Sequence, residues 1–258
     1  MTLSVFAFNG STAFLLSTGG CMLRLSLVFA LALVGSAGAA ERSSMVSDDG
    51  FEMRIPADDQ RQQVSRVAPD LFESTGSLLN QGNVRVIEIL MTSDDIEQTR
   101  NGDDPRALSV RILRHPISGG AAVSEATWND VRPRYRKVVE NTLSPAMKSM
   151  VQEKVDSSYN DKMEESDEIR IQKFERLEFY REDSTSLRYF TLAHIQRGSG
   201  KEKTLAVVRG FSATIFMKNR LFLIQAARLM EDANSGEDID KERAEFDHFV
   251  DQLIKINP

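Results

Sequence analysis

The chain has 258 residues, 41 % hydrophobic and 27 % charged, which suits a folded globular protein of one large domain or two small ones. A formal net charge of −6 and the lack of any long basic run argue against nucleic-acid binding, which needs clustered Lys and Arg. The single cysteine, Cys21, falls in a segment expected to be removed, so the mature chain is expected to use no disulfide, no thiolate nucleophile and no Cys-ligated zinc.

Up to Ala40 the only charged side chain is Arg24. An apolar stretch runs from Leu25 to Val34 and gives way to Gly35, Ser36, Ala37, Gly38, Ala39 and Ala40. A basic residue, a short apolar core and an Ala-x-Ala site (Ala37-Gly38-Ala39) form the layout of a secretory signal. The core is shorter than the roughly 20 residues that a membrane span needs. Residues 1–39 are therefore read as a signal peptide, with a periplasmic mature protein beginning near Ala40 and no stable membrane span. A start at Met22-Leu23-Arg24 would bring the charge to the amino terminus, as signals have it. The rival reading is an uncleaved anchor over Leu3–Val34. Cys21 is a poor lipid-attachment site, because Thr18-Gly19-Gly20 lacks an aliphatic residue and the apolar core follows the cysteine.

Residues 40–258 read as a single α+β domain. Phe51, Met53 and Ile55 alternate with polar residues and stop at Pro56, predicting a short strand. Residues 57–82 read as a loop, with a helical turn around Val64–Val67. Val84 to Leu90 is the next strand. Asn101-Gly102-Asp103-Asp104-Pro105 is a turn, and Leu108, Val110 and Ile112 mark a strand ending at His115-Pro116. Ser124 is placed to cap a helix whose apolar face is Trp128, Val131, Tyr135, Val138 and Leu143. Pro133 is either absorbed or restarts that helix. Pro145 breaks it, and Met147, Met150, Val151 and Val155 continue a helical pattern to about Asp156.

Four strands follow, about 169–179, 187–196, 205–217 and 221–228, joined by short turns that predict an antiparallel meander. Both alternating sets along these strands are apolar: Leu187, Tyr189, Ala193 and Ile195 against Phe190 and Leu192, then Val207, Phe211, Ala213 and Ile215 against Ala206, Val208 and Phe216. A sheet with one wet face would alternate cleanly, so helices are expected on both faces. One of them closes the chain, capped by Asp240, with Phe246, Phe249, Val250, Leu253 and Ile254 in an i, i+3, i+4, i+7, i+8 stripe.

The order of elements, opening on Gly50-Phe51-Glu52-Met53-Arg54-Ile55-Pro56, resembles the PsbP-like family of α/β/α sandwiches, which includes DcrB-like envelope proteins. The resemblance covers residues 50 to 256 and departs in 57–82 and in the long helical region 124–156. It implies a three-layer sandwich and a non-enzymatic binding or accessory role, and it carries over no functional residue.

Chemical signatures are few. Gly198-Ser199-Gly200-Lys201 lacks the glycine five residues ahead of its Gly-Lys pair that a phosphate loop needs, and a strand follows it, so it reads as a hairpin turn. Asp232, Asn234, Gly236, Asp238 and Asp240 alternate oxygen ligands, but the glycine is misplaced for a calcium loop and no Glu closes it. Glu164, Glu165, Asp167 and Glu168 read as a solvated loop. Of the three histidines, His194 is the one expected in a covered strand with a perturbed pKa, His115 sits at a strand end, and His248 should face water. No catalytic, cofactor-binding or metal-ligating residue is nominated. The expected function is an exported, periplasmic, non-enzymatic binding or accessory protein whose partner is an envelope protein or component. The alternatives are a periplasmic hydrolase built from dispersed Asp/Glu and His194, and an envelope protein tethered by an uncleaved N-terminal helix.

Overall fold

Ser44–Asp48 (β1) and Phe51–Ile55 (β2) form an antiparallel hairpin, with Ser44 opposite Ile55 and Asp48 opposite Phe51. Phe51, Met53 and Ile55 are buried, as their alternation predicts. Gly50 in the turn takes φ 73°, which costs glycine little. The computed structural model describes residues 43–48, 50–80, 83–101, 107–116, 118–141, 149, 152, 156, 169–197, 203–230 and 239–258. The signal segment, the Gly198–Lys201 turn, the acidic run 164–168, Leu143, Pro145, and the methionines at 147 and 150 lie outside them.

The helical turn expected around Val64–Val67 is present, but the loop expected over the rest of 57–82 is corrected. The segment holds Gln62–Gln63 (β3), Val64–Val67 (α1) and Pro69–Leu79 (α2). Pro69 at the start of α2 has its φ preset, and its missing N–H would have had no helical partner there. Asp70 favours the same end of the helix dipole. Leu71 and Leu79 then bury against Val86 and Ile89 of Arg85–Met91 (β4). A second helix escaped the sequence reading, Ser93–Arg100 (α3). Thr92 caps it, accepting from the Asp95 amide at 3.1 Å and donating to the Asp95 carboxylate at 2.8 Å.

Ser109–Arg114 (β5) leads to Glu125–Asn141 (α4). Ser124 is the cap, its Oγ accepting from the Thr127 amide at 3.1 Å. Pro133 is absorbed within the helix. The buried residues are Trp128, Tyr135 and Val139, whereas Val131 and Val138 are half-buried. At about 100° per residue the first three lie within roughly 20° of one line, and the two valines fall about 60–80° to one side.

The meander is present as Ile169–Glu182 (β6), Ser186–Arg197 (β7), Thr204–Met217 (β8) and Arg220–Met230 (β9), followed by Ile239–Ile256 (α5). Asp240 lies within the first turn of α5 rather than at its cap. The seven-stranded sheet has the order β3-β4-β5-β9-β8-β7-β6, and all its neighbours are antiparallel. The protein is therefore α+β with mostly antiparallel sheet.

The two alternating sets separate as the sequence reading divides them. Phe190, Phe211, Ala213 and Ile215 cluster with Phe246, Phe249, Val250 and Leu253 of α5 and with Phe51, Met53 and Ile55 of the hairpin. Leu187, Tyr189, Ala193, Ile195, Ala206 and Val208 cluster instead with Trp128, Tyr135 and Val139 of α4. Each fully buried side chain of this size contributes about 1.5–3 kcal/mol before its lost entropy is counted.

Ion pairs fix the placement of α5. Arg188 of β7 is fully buried and donates to Asp247 at 2.8 Å and to Asp251. Glu242 accepts from Arg209 of β8 at 3.0 Å and from Arg228 of β9 at 3.2 Å. Removing one member of such a pair would leave the other as an uncompensated charge, so these contacts set position more than they add stability.

Candidate binding groove beside the closing helix

Past Pro56 the chain turns around Asp58. Its carboxylate accepts from the amides of Gln60 and Arg61 at 2.9 and 3.0 Å and from Arg61 Nη1 at 2.7 Å. Arg61 also donates through Nε to the Leu108 carbonyl at 2.9 Å and lies 3.6 Å from Glu245 of α5. On the other side, Asn257 just beyond α5 holds β2 as a neighbouring strand would. Its Oδ1 accepts from the Arg54 amide at 2.8 Å and its Nδ2 donates to the Arg54 carbonyl at 2.7 Å. Asn257 is fully buried, and both bonds are partly shielded from water.

Between this turn and α5 lie two adjoining clefts of about 290 and 350 Å³, which share Pro56, Ala57, His248 and Gln252. Phe249 lines the first, and Arg54 and Ile256 line the second. His248 is exposed, as its place off the apolar stripe predicts. The ionisable groups at the groove are largely engaged with one another, Arg61 holding Asp58 and Glu245. Pro56, Ala57 and Ile256 offer apolar contact, and Gln252 and His248 offer hydrogen bonds. Such a surface can receive a short extended segment of a partner chain.

The interior beneath α4 is different. The pairing register aligns Arg111, Gln225, Ser212 and Tyr189 as direct neighbours across β5, β9, β8 and β7, and all four are buried. Desolvation pushes the Arg111 guanidinium well below its ordinary pKa. Burial pushes the Tyr135 and Tyr189 hydroxyls upward. Tyr135 Oη lies within electrostatic reach of Thr214 and Tyr189 without meeting hydrogen-bond geometry to either.

The histidine expectation is corrected here. His115 is the buried one, its Nε2 3.4 Å from Thr214 Oγ1 and its ring edge-on to Tyr135 at 5.0 Å between centroids. Burial pushes its pKa down to about 3. His194 faces outward near the edge of the sheet and contacts Glu175 of β6, with 26 % of its side chain exposed. The three histidines do not converge, and no group of three or more His, Cys, Asp or Glu side chains among the described residues is arranged to hold a metal. No described helix is long and apolar enough to cross a membrane.

Sequence reasoning missed the groove because its walls come from the ends of elements far apart in the chain. Asp58 followed by Arg61 and the near-terminal Asn257 were its only local signs. No protein-family model matches the chain, and no curated protein is similar to it in sequence.

Proposed function

We propose that the chain is an exported, periplasmic, non-enzymatic accessory protein that binds a segment of an envelope partner in the groove between residues 54–61 and α5. The adjoining clefts around Ala57, His248 and Gln252 carry this reading. The secretory layout of residues 1–39 supports the compartment. The separate clusters around α4 and α5 support a sheet covered by helices on both faces, as in a PsbP-like three-layer sandwich. The hydrolase reading has less support, because His194 pairs with Glu175 and lines none of the described clefts.

The test is co-purification from the native envelope with wild type and with Ala57→Arg/Gln252→Arg, two substitutions on the groove walls. The expected result is a partner retained by wild type and lost from the double variant, whose circular-dichroism melt matches wild type. Equal capture by both would overturn the groove, and a hydrolytic activity abolished by His194→Ala would overturn the non-enzymatic role. Intact-mass measurement of the same material should show a mature chain beginning near Ala40.

A further inference from the structure

The turn joining β8 to β9 holds Lys218 and Asn219 at φ 48° and 58°, the left-handed pair that a tight two-residue hairpin requires. Lys218 and Arg220 both lie against the ring of Phe51 at the end of the β1–β2 hairpin. Lys218 Nζ is 5.8 Å and Arg220 Cζ 5.1 Å from the ring centroid. Their hydrogen bonds go to neutral oxygens. Lys218 donates to the Glu52 carbonyl at 3.4 Å and Arg220 to the Gly120 carbonyl at 2.6 Å. Neither is ion-paired among the described residues.

The neighbourhood adds further positive charge. Arg114 of β5 holds Asp48 in a two-pronged contact at 3.0 and 2.6 Å, with Arg85 3.7 Å from the same carboxylate. Arg114 also donates to the Gly119 carbonyl at 3.3 Å, next to the carbonyl that Arg220 uses. Gly120, at φ 87°, permits this approach, since a Cβ there would lie 2.8 Å from the Arg114 side chain. Arg85 and Arg114 thus hold Asp48, so that the described acid beside Lys218 and Arg220 is Glu52. The whole chain carries a net charge of −6.

Beside Phe51 lies an open cleft of about 580 Å³, lined by Ser47, Gly50, Lys218, Asn219 and Arg220, with Glu52 on its wall. Two like charges held over one ring by neutral contacts repel each other. A small oxyanion between them replaces that repulsion with two attractions. The Arg220 fork suits paired oxygens, Lys218 supplies a point charge, and the Ser47 hydroxyl and Asn219 amide add hydrogen bonds. We propose that this cleft is a binding site for a phosphate-class oxyanion, either free or on a lipid headgroup.

The test titrates the purified protein with inorganic phosphate by calorimetry in a phosphate-free buffer, and separately floats it with phosphatidylglycerol or phosphatidylcholine vesicles. The variants are Lys218→Gln, Lys218→Gln/Arg220→Gln and Glu52→Gln, with Lys203→Gln as control. Lys218 and Glu52 are exposed, so their substitutions leave the fold in place. The expected result is phosphate binding that weakens several-fold in Lys218→Gln, at least tenfold in the double variant, strengthens in Glu52→Gln and is unchanged in the control. A loss of phosphatidylglycerol flotation in the double variant would assign the anion to a lipid headgroup, and phosphate binding alone would assign it to a soluble ligand. The site is overturned if neither probe binds, or if the double variant and the control bind like wild type.

Discussion

The cluster around α5 and the cluster around α4 hold their buried polar groups in different ways. Around α5, buried charges meet opposite charges carried by the helix: Arg188 with Asp247 and Asp251, Arg209 and Arg228 with Glu242. Around α4, His115, with its pKa pushed down to about 3, and Tyr135 and Tyr189, with theirs raised, keep to their neutral forms near the buried Arg111. Paired charges tie a helix to particular strand positions, because sliding it by a turn would strand every partner. α4 is also tied by charge, through Arg132 and Arg136 to Glu182 of β6, but the neutral buried groups beside it make this region sensitive to protons. The α5 cluster should therefore respond most to losing a packing residue, and the α4 cluster to pH.

The largest effect is expected at Phe249, buried in the middle of the α5 stripe and lining the groove. Phe249→Ala should cost about 3–5 kcal/mol, as large-to-small core substitutions do. The ion pairs cannot replace that loss, since Asp251 is about half exposed and its attraction is weakened by water. An unchanged chemical-denaturation midpoint would show that the Arg–carboxylate contacts alone hold the helix.

The next effect separates the two clusters by pH. His115 takes up a proton near its ordinary pKa of 6.5 when unfolded and only near 3 when folded. Below 6.5 the unfolded chain binds the extra proton, so stability falls as pH falls, by about 1.4 kcal/mol per unit, until the folded pKa is reached. Asp251 acts lower. Burial opposes its charge, but its bonds to Arg188 and Arg181 outweigh that and hold its pKa below the ordinary 3.8. Its contribution is complete above that value and is lost as pH falls through the lower folded one. Denaturation midpoints between pH 6.5 and 4 should slope in wild type and flatten in His115→Gln. An equal slope in both would show that His115 does not carry the acid sensitivity.

How far the sequence foretold this division can be judged element by element. The strands β7 and β8 and the stripe of α5 were legible because long apolar alternation and a repeating 3–4 spacing are local signals. β1 was not, because Met45 is exposed and Val46 only half-buried, and its pairing with β2 is what makes it a strand. In α2 the run Ser74-Thr75-Gly76-Ser77 has low helix propensity, so docking on β4 decides its conformation. α3 was legible in principle from Thr92 and Asp95, a capping pair three residues apart. The β5–β9 pairing leaves no local trace, and neither do the cross-strand row it completes nor the burial of His115. The groove shares that invisibility, since Arg54 and Asn257 meet across 203 positions.

The smallest effect is expected at His194, the histidine that the sequence alone would have favoured. Its register partner is Lys173 on the edge strand β6, and its ring contacts the exposed Glu175 carboxylate. Lys173 Nζ lies 3.1 Å from that same carboxylate, so Glu175 keeps a cationic partner when the imidazole is removed. The hydrogen bond from His194 is the largest influence lowering the Glu175 pKa, with Lys173 next, so the substitution should raise that pKa part of the way back. Surface pairs of this kind contribute little to folding, because water screens them and both side chains lose freedom in forming them. His194→Ala should therefore leave the denaturation midpoint and the capture of an envelope partner unchanged, while the Glu175 titration followed by NMR moves upward. A marked loss of stability would mean that the β6 edge is held by this one contact rather than by its pairing with β7. Loss of partner capture at an unchanged midpoint would move the binding surface from the groove to that edge.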